Sequence, residues 1–206
     1  MARADGAVIA ADMGDDAAAR LHAERAWSRA KQLDQLLLSA WALSALGYAA
    51  MQRGDFREAL EWYEKYVPLV RDTENGVARN LILGRAAEAF LRSGRVDDAT
   101  RLADQAIAVA ILAGAPHFHA VARRVQGQIF VTQDRHDDAL SAFDDAIATF
   151  EQTGSRLEHA RAPYHRAALR LNRGENETAR ADAVRARDAF AAMGAERDRP
   201  LAEKLL

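Results

Sequence analysis

An all-α solenoid of about five antiparallel helix pairs is the fold class this sequence predicts, on three observations. Alanine, the strongest helix former, is abundant, and only four prolines and twelve glycines interrupt the 206 residues. A block of residues recurs every 40 positions along nearly the whole chain, the signature of stacked supersecondary units. Charges of both signs are interleaved along the length, as on solvated helix faces, with a formal net charge of −2.

The repeat is visible in the segments GDFREAL, GRVDDAT, DRHDDAL and GENETAR, which begin at Gly54, Gly94, Asp134 and Gly174. Their alanines, Ala59, Ala99, Ala139 and Ala179, stand 40 apart, and one step back gives Ala19, preceded by Gly14. Seven residues after each marker alanine come Ala26, Tyr66, Ala106, Ala146 and Ala186. Twelve residues before it come Ala7, Gly47, Ala87, Gly127 and Ala167, all small. Gly114, Gly154 and Gly194 repeat on the same beat. The repeats run approximately over 1–35, 36–75, 76–115, 116–155 and 156–195, in a single domain over 1–206.

Each repeat reads as two helices joined by a tight turn. The glycine before the second helix suits a helix C-terminus, where a left-handed residue is needed. Asp55, Asp97, Asp98, Asp137, Asp138 and Glu177 then gather at the next helix start, where they are expected to cap free amides and complement the dipole. About 16 helical residues per half-repeat give rods of about 25 Å. The small residues let neighbouring backbones approach closely. Larger residues such as Leu46, Leu60, Tyr63, Leu83, Phe90, Phe130, Leu140, Phe143, Phe150, Leu169 and Phe190 fill the spaces between. Pro163 is expected within a first turn, and Pro68 is expected to bend or end its helix. Trp62, beside Tyr63, reads as core or inter-repeat packing.

Much chemistry is excluded. The chain has no cysteine, hence no disulfide, thiolate metal site or cysteine nucleophile. No basic block offers a phosphate-backbone surface, so direct nucleic-acid binding is not expected. No apolar run approaches the roughly 20 residues of a membrane span, and no signal-peptide profile opens the chain, so membrane association is not expected and the expected location is cytoplasmic. His117 and His119 form an H-x-H pair without a third ligand at recognisable spacing; a solvated helix terminus explains them better than metal. The adjacent acids Asp97–Asp98, Asp137–Asp138 and Asp144–Asp145 point about 100° apart on a helix, unsuited to sharing a proton. No phosphate loop, nucleophile elbow or metalloprotease helix is present. No cofactor and no catalysis are expected.

The markers resemble the tetratricopeptide repeat (TPR) family. Its leucine–glycine pair, turn glycine, alanine and aromatic are matched by Leu46-Gly47, Gly54, Ala59 and Tyr63. Phe90, Gly94, Ala99 and Ala106 follow, then Gly127, Phe130, Ala139, Phe143 and Ala146; the last full repeat keeps Gly174, Ala179 and Ala186. The usual period is 34, so this chain is a longer-helix variant, similar to arrays in bacterial signalling ATPases, MalT-like activators and nucleotide-cyclase regulators. The resemblance implies a right-handed TPR-like superhelix and a non-catalytic scaffold binding a protein or peptide in its concave groove. The alternative it leaves is a peptide or small-molecule sensor whose superhelix responds to ligand. The stretch 196–206 reads either as a terminal helix or as the start of a further repeat in a longer regulator; both stand.

In the family, recurrent first-helix positions line the groove. Carried over by register they give Trp41, Tyr48, Gln52, Glu88, Arg92, Arg124, Gln128, Arg161, Tyr164 and Asn172. Arg92, Arg124 and Arg161 form a ladder for an acidic ligand, unless they pair with Glu88 or Glu158 and merely solvate the groove. Replacing the three arginines together with alanine is expected to weaken an acidic ligand and leave the fold intact.

Overall fold

A single turn, made again and again, builds this molecule. At Gly14, Gly54, Gly94 and Gly174 the backbone enters the left-handed region, with φ between +77° and +83°. The next amide then bonds back five residues, as from Asp55 to the Ala50 carbonyl (3.0 Å), Arg95 to Phe90 (2.9 Å) and Glu175 to Arg170 (2.9 Å). This satisfies carbonyls that a helix end leaves orphaned. Repeat four makes the same bond from Arg135 to Phe130 (2.9 Å), with Asp134 in the glycine's place at φ +57°.

The computed structural model describes residues 2–71, 73 and 75–206. Its helices are α1 Ala2–Asp12, α2 Asp16–Leu33, α3 Leu36–Gln52, α4 Phe56–Arg71, α5 Gly76–Arg92, α6 Val96–Leu112, α7 Pro116–Thr132, α8 His136–Thr153, α9 Arg156–Asn172, α10 Asn176–Met193 and α11 Arg199–Glu203. Among the described residues there is no strand. The fold is a right-handed TPR-like superhelix of antiparallel pairs. α3 through α10 have 16 to 18 residues each.

Three local expectations are refined. Side-chain capping occurs at Asp15, Asp55 and Asn75, which accept from the Ala18, Glu58 and Ala78 amides. At α6 and α8 the cap residues are Arg95 and Arg135, without a side-chain cap bond. Asp98 and Asp138 sit inside the first turn instead and pair with those arginines, so charge rather than capping accounts for the acids there. Pro163 lies in the middle of α9, buried, rather than in its first turn, and α4 continues past Pro68 to Arg71.

The marker alanines Ala59, Ala99 and Ala139 are fully buried, and Ala19 and Ala179 nearly so. The small residues twelve earlier follow a rule of matched volumes. A Cβ on Gly47 would lie 2.4 Å from the Tyr63 ring, and one on Gly127 would lie 2.6 Å from the Phe143 ring. Sixteen residues after Ala7, Ala87 and Ala167 the partner positions hold Ala23, Ala103 and Ala183 instead, all fully buried. Glycine thus faces an aromatic, and alanine takes alanine.

First helices also pack on one another, α1 on α3, α3 on α5, α5 on α7 and α7 on α9, whereas successive second helices stay apart. The first-helix wall is therefore the inside of the curve. α11 sets Ala202 against Ala186 and Phe190 of α10 and against Ala195.

Candidate functional site

The inner wall encloses a cavity of about 570 Å³. α3 contributes Tyr48, Met51 and Gln52; α5 contributes Arg85, Glu88 and Arg92; α9 contributes Arg161, Tyr164 and His165; the final segment contributes Glu196, Arg197, Asp198, Pro200 and Leu201. Positions three, four and seven apart share a helix face, so α5 presents Arg85, Glu88 and Arg92 together. Six of the ten residues expected in the groove meet here: Tyr48, Gln52, Glu88, Arg92, Arg161 and Tyr164. Trp41 lies on the same wall in a separate hollow of about 240 Å³ with Val8, Ile9, Leu81, His117 and Phe118, which Arg85 also reaches. Asn172 ends α9, exposed, outside both hollows. Gln128 is buried, and its amide nitrogen has no partner among the described residues.

Arg124 and Arg161 are not a free ladder. Arg124, with its side chain 2% exposed, forks onto Glu88 (Nη1 to Oε1 3.2 Å, Nη2 to Oε2 2.8 Å) and donates Nε to Glu158 (2.9 Å). Arg161 forks onto Asp198 (2.8 and 3.0 Å) and donates to Glu158 (3.1 Å), the Tyr48 hydroxyl (2.6 Å) and Asp12 (3.3 Å). Tyr48 in turn donates to Asp12. Arg197 completes the junction, donating to the Gln52 carbonyl and the Gly14 carbonyl (3.4 Å) and forming an ion pair with the Asp16 carboxylate (2.5 Å). Side chains of α9 and the final segment thus clasp α1 and α3 and bring the two ends of the array together.

The electrostatics follow from burial and pairing. Burial alone would raise the Glu158 carboxyl, but Arg124 and Arg161 outweigh it and hold it down at about 2. Glu88, half-buried and forked by Arg124, is likewise held well below the usual carboxylate range. For Asp12, burial wins over Arg161 and Tyr48 and pushes its pKa up. His165, stacked 6.1 Å from Phe143, is pushed down to about 3 by burial and then by Arg124, so its ring is neutral near pH 7. Burial lifts the Tyr48 hydroxyl well above its ordinary value.

The triple alanine substitution would therefore strip a buried ion network, and its expected harmlessness to the fold does not hold. Asp12, Arg85, His165, Arg197 and Asp198 were missed by the register rule. Asp12 precedes Gln52 by 40 positions, so extending the rule one repeat earlier would have found it. Arg85 stands on the beat of Ala45 and Val125, apolar positions that hid it. His117 packs edge-on to Phe118 (5.2 Å) and Phe150 (6.0 Å), and no three metal-ligating side chains converge among the described residues. No described helix is long and apolar enough to cross a membrane.

Two family models, each described as tetratricopeptide repeat, match the sequence, one over residues 42–75 and the other over 79–152. Together they span just over half of it. Among solved structures the chain is similar to BtubC (BKLC) from P. vanneervenii, with a TM-score of 0.63 at 18% identity, over 89% of this chain and 85% of that one. Comparison with curated proteins gives no match.

Proposed function

Because the chain belongs to the tetratricopeptide repeat family, whose repeats generally mediate protein–protein interactions, we propose that it is a non-catalytic scaffold receiving a partner protein or peptide on its concave face. The observation that supports this reading is the inner cavity, where Arg85 and Arg92 face aromatic walls and make no ion pair among the described residues. Arg92 is exposed and Arg85 half-buried, and guanidiniums without an ion pair beside aromatics favour an acidic partner. The 40-residue beat, similar to that of bacterial signalling and transcription regulators, suggests a segment of such a regulator acting in the cytoplasm. A second reading, a sensor whose superhelix responds to ligand, is favoured by the clasp: Arg161 joins residues 113 and 149 positions away, so a ligand at the cavity would act on both ends.

The test uses wild type, Arg92→Glu and, as a surface control, Arg101→Glu. Each is immobilised, retained proteins are identified by mass spectrometry, and the main one is purified and titrated. A partner is expected that binds wild type and the control alike and Arg92→Glu about tenfold or more weakly. Equal binding to all three would remove the concave face from the reading.

A further inference from the structure

Every carboxylate that lines the cavity is already engaged. Glu88 holds Arg124, Asp198 holds Arg161, and Glu196 pairs with Arg199 at 3.3 Å. Five guanidiniums line the same space. Arg161 is spent on its four acceptors, Arg53 pairs with Glu58, and Arg197 is tied to Asp16 and two carbonyls. Among the described residues that leaves Arg85 and Arg92, whose contacts are with rings: Arg85 lies 4.0 Å over Tyr48 and Arg92 5.3 Å over Phe56. A guanidinium stacked on a ring keeps its N–H edge free to donate, and stacking fixes its orientation at small entropic cost.

These two arginines are seven residues apart, so they flank Glu88 on one face of α5 with about 10 Å of helix rise between their origins. His165 opposite is neutral and adds no third cation. Two positive charges with no ion pair among the described residues, in a partly walled space, attract anions strongly, because low-dielectric walls focus their field. Size narrows the choice. A cavity of about 570 Å³ is in the small-ligand range. A helix at least 10 Å across would exhaust that volume in little more than one turn.

We infer, resting on the concave-face reading, that the cavity is a receptor for a compact dianion, a phosphate monoester or a pair of neighbouring carboxylates, held between Arg85 and Arg92. The group arrives either on a free small molecule or on a side chain of the partner.

Calorimetric titration of the full chain at low ionic strength tests this, with phenyl phosphate and succinate as probes and chloride as the monovalent control. Short peptides bearing a phosphoserine or two adjacent glutamates form the second arm. Wild type is expected to bind at least one dianion saturably at one site. Arg85→Gln and Arg92→Gln are each expected to weaken it about tenfold or more, the loss of one charge-assisted bond, while Arg101→Gln leaves it unchanged. Tighter binding of the peptide than of the free probe assigns the dianion to the partner; the reverse assigns it to a small molecule. Thermal melts of the variants separate lost binding from lost fold. The inference is overturned if no dianion binds wild type, or if both cavity variants bind as wild type does. Should the dianions fail while a protein partner still discriminates against Arg92→Glu, the concave-face reading survives without it.

Discussion

Replacing Gly127 with alanine is expected to destabilise the protein, although in an ordinary helix the same change stabilises by up to about 1 kcal/mol. The new Cβ would lie 2.6, 2.8 and 3.0 Å from three carbons of the Phe143 ring. Carbon atoms in contact prefer about 3.5–4.0 Å. The overlap is about 1 Å against a rigid ring that is fully buried and stacked on His165, so it cannot swing aside. Overpacking of this kind costs about 1–3 kcal/mol, and three clashing atoms put it near the top of that range. After the helix-propensity gain, a net loss of about 1–2 kcal/mol remains, or about 2–8 °C in melting temperature for a chain of this size.

Gly84 supplies the control. A Cβ there meets Val121 Cγ1 at 3.5 Å and the Ala122 amide at 3.9 Å, ordinary contact, so Gly84→Ala is expected to stabilise by up to about 1 kcal/mol. Phe143→Ala alone opens a core cavity costing about 3–5 kcal/mol. In the double variant Gly127→Ala/Phe143→Ala the clash has no partner, and the pair becomes the alanine-on-alanine contact of Ala87 and Ala103. The double variant is expected to be no less stable than Phe143→Ala, which gives a favourable coupling of about 1–3 kcal/mol in the cycle. Urea unfolding followed by circular dichroism measures all four proteins. A Gly127→Ala protein as stable as wild type, or a double variant showing the sum of the single losses, would refute the seating of Phe143 over Gly127.

Three further outcomes are expected. Asp134→Gly should stabilise by about 0.5–1 kcal/mol, read from thermal melts, because a side chain at φ +57° is strained and Asp134 is almost fully exposed. Arg161→Met should cost about 3–5 kcal/mol in urea unfolding, since it leaves Asp198 buried and Asp12 half-buried without their cation. His165→Phe should flatten the acid side of the stability profile. With a folded pKa of about 3 against about 6.5 unfolded, the unfolded chain binds the extra proton, so stability falls as pH drops from 6.5 towards 3, by up to about 1.4 kcal/mol per unit. His117 and His119, lowered by burial, leave a smaller slope in the variant. The contribution of Glu158, present above about 4.5 and lost as pH falls towards 2, is untouched. Urea midpoints between pH 4.5 and 7 read the difference.

The architecture was legible because one packing unit is written five times. Gly54, Gly94 and Gly174 mark turns that only a left-handed residue can make, and the 40-residue beat of Ala19 to Ala179 fixes which face each helix buries. Register also selected Tyr48, Gln52, Glu88, Arg92, Arg161 and Tyr164, because positions on one helix face stay together whatever the curvature. The clasp was not legible. Whether Arg161 meets Tyr48, 113 residues earlier, depends on rotation accumulated over several interfaces, and no local pattern encodes that sum. Arg85 was hidden differently, as a charge at a position that is apolar in the neighbouring repeats.

Curvature decides which groove residues are left to bind. Small residues inside the array let successive first helices pack on one another while the second helices stay apart, and the inner wall shortens. As it shortens, charges one repeat apart come within reach: Glu88 of Arg124, Arg124 of Glu158, Arg161 of Asp198. A charge that meets the opposite sign 34 to 37 positions away is consumed by the array itself, as Arg124 and Arg161 are. Arg85 and Arg92 escape because the residues at those separations offer no carboxylate: 36 positions back stand Ala49 and Phe56, 34 on stand His119 and Gln126, and 37 on stand Ala122 and Ile129. Recognition by such an array is therefore set by the charges that its own repeats leave unmatched, rather than by the number of charges on the concave face.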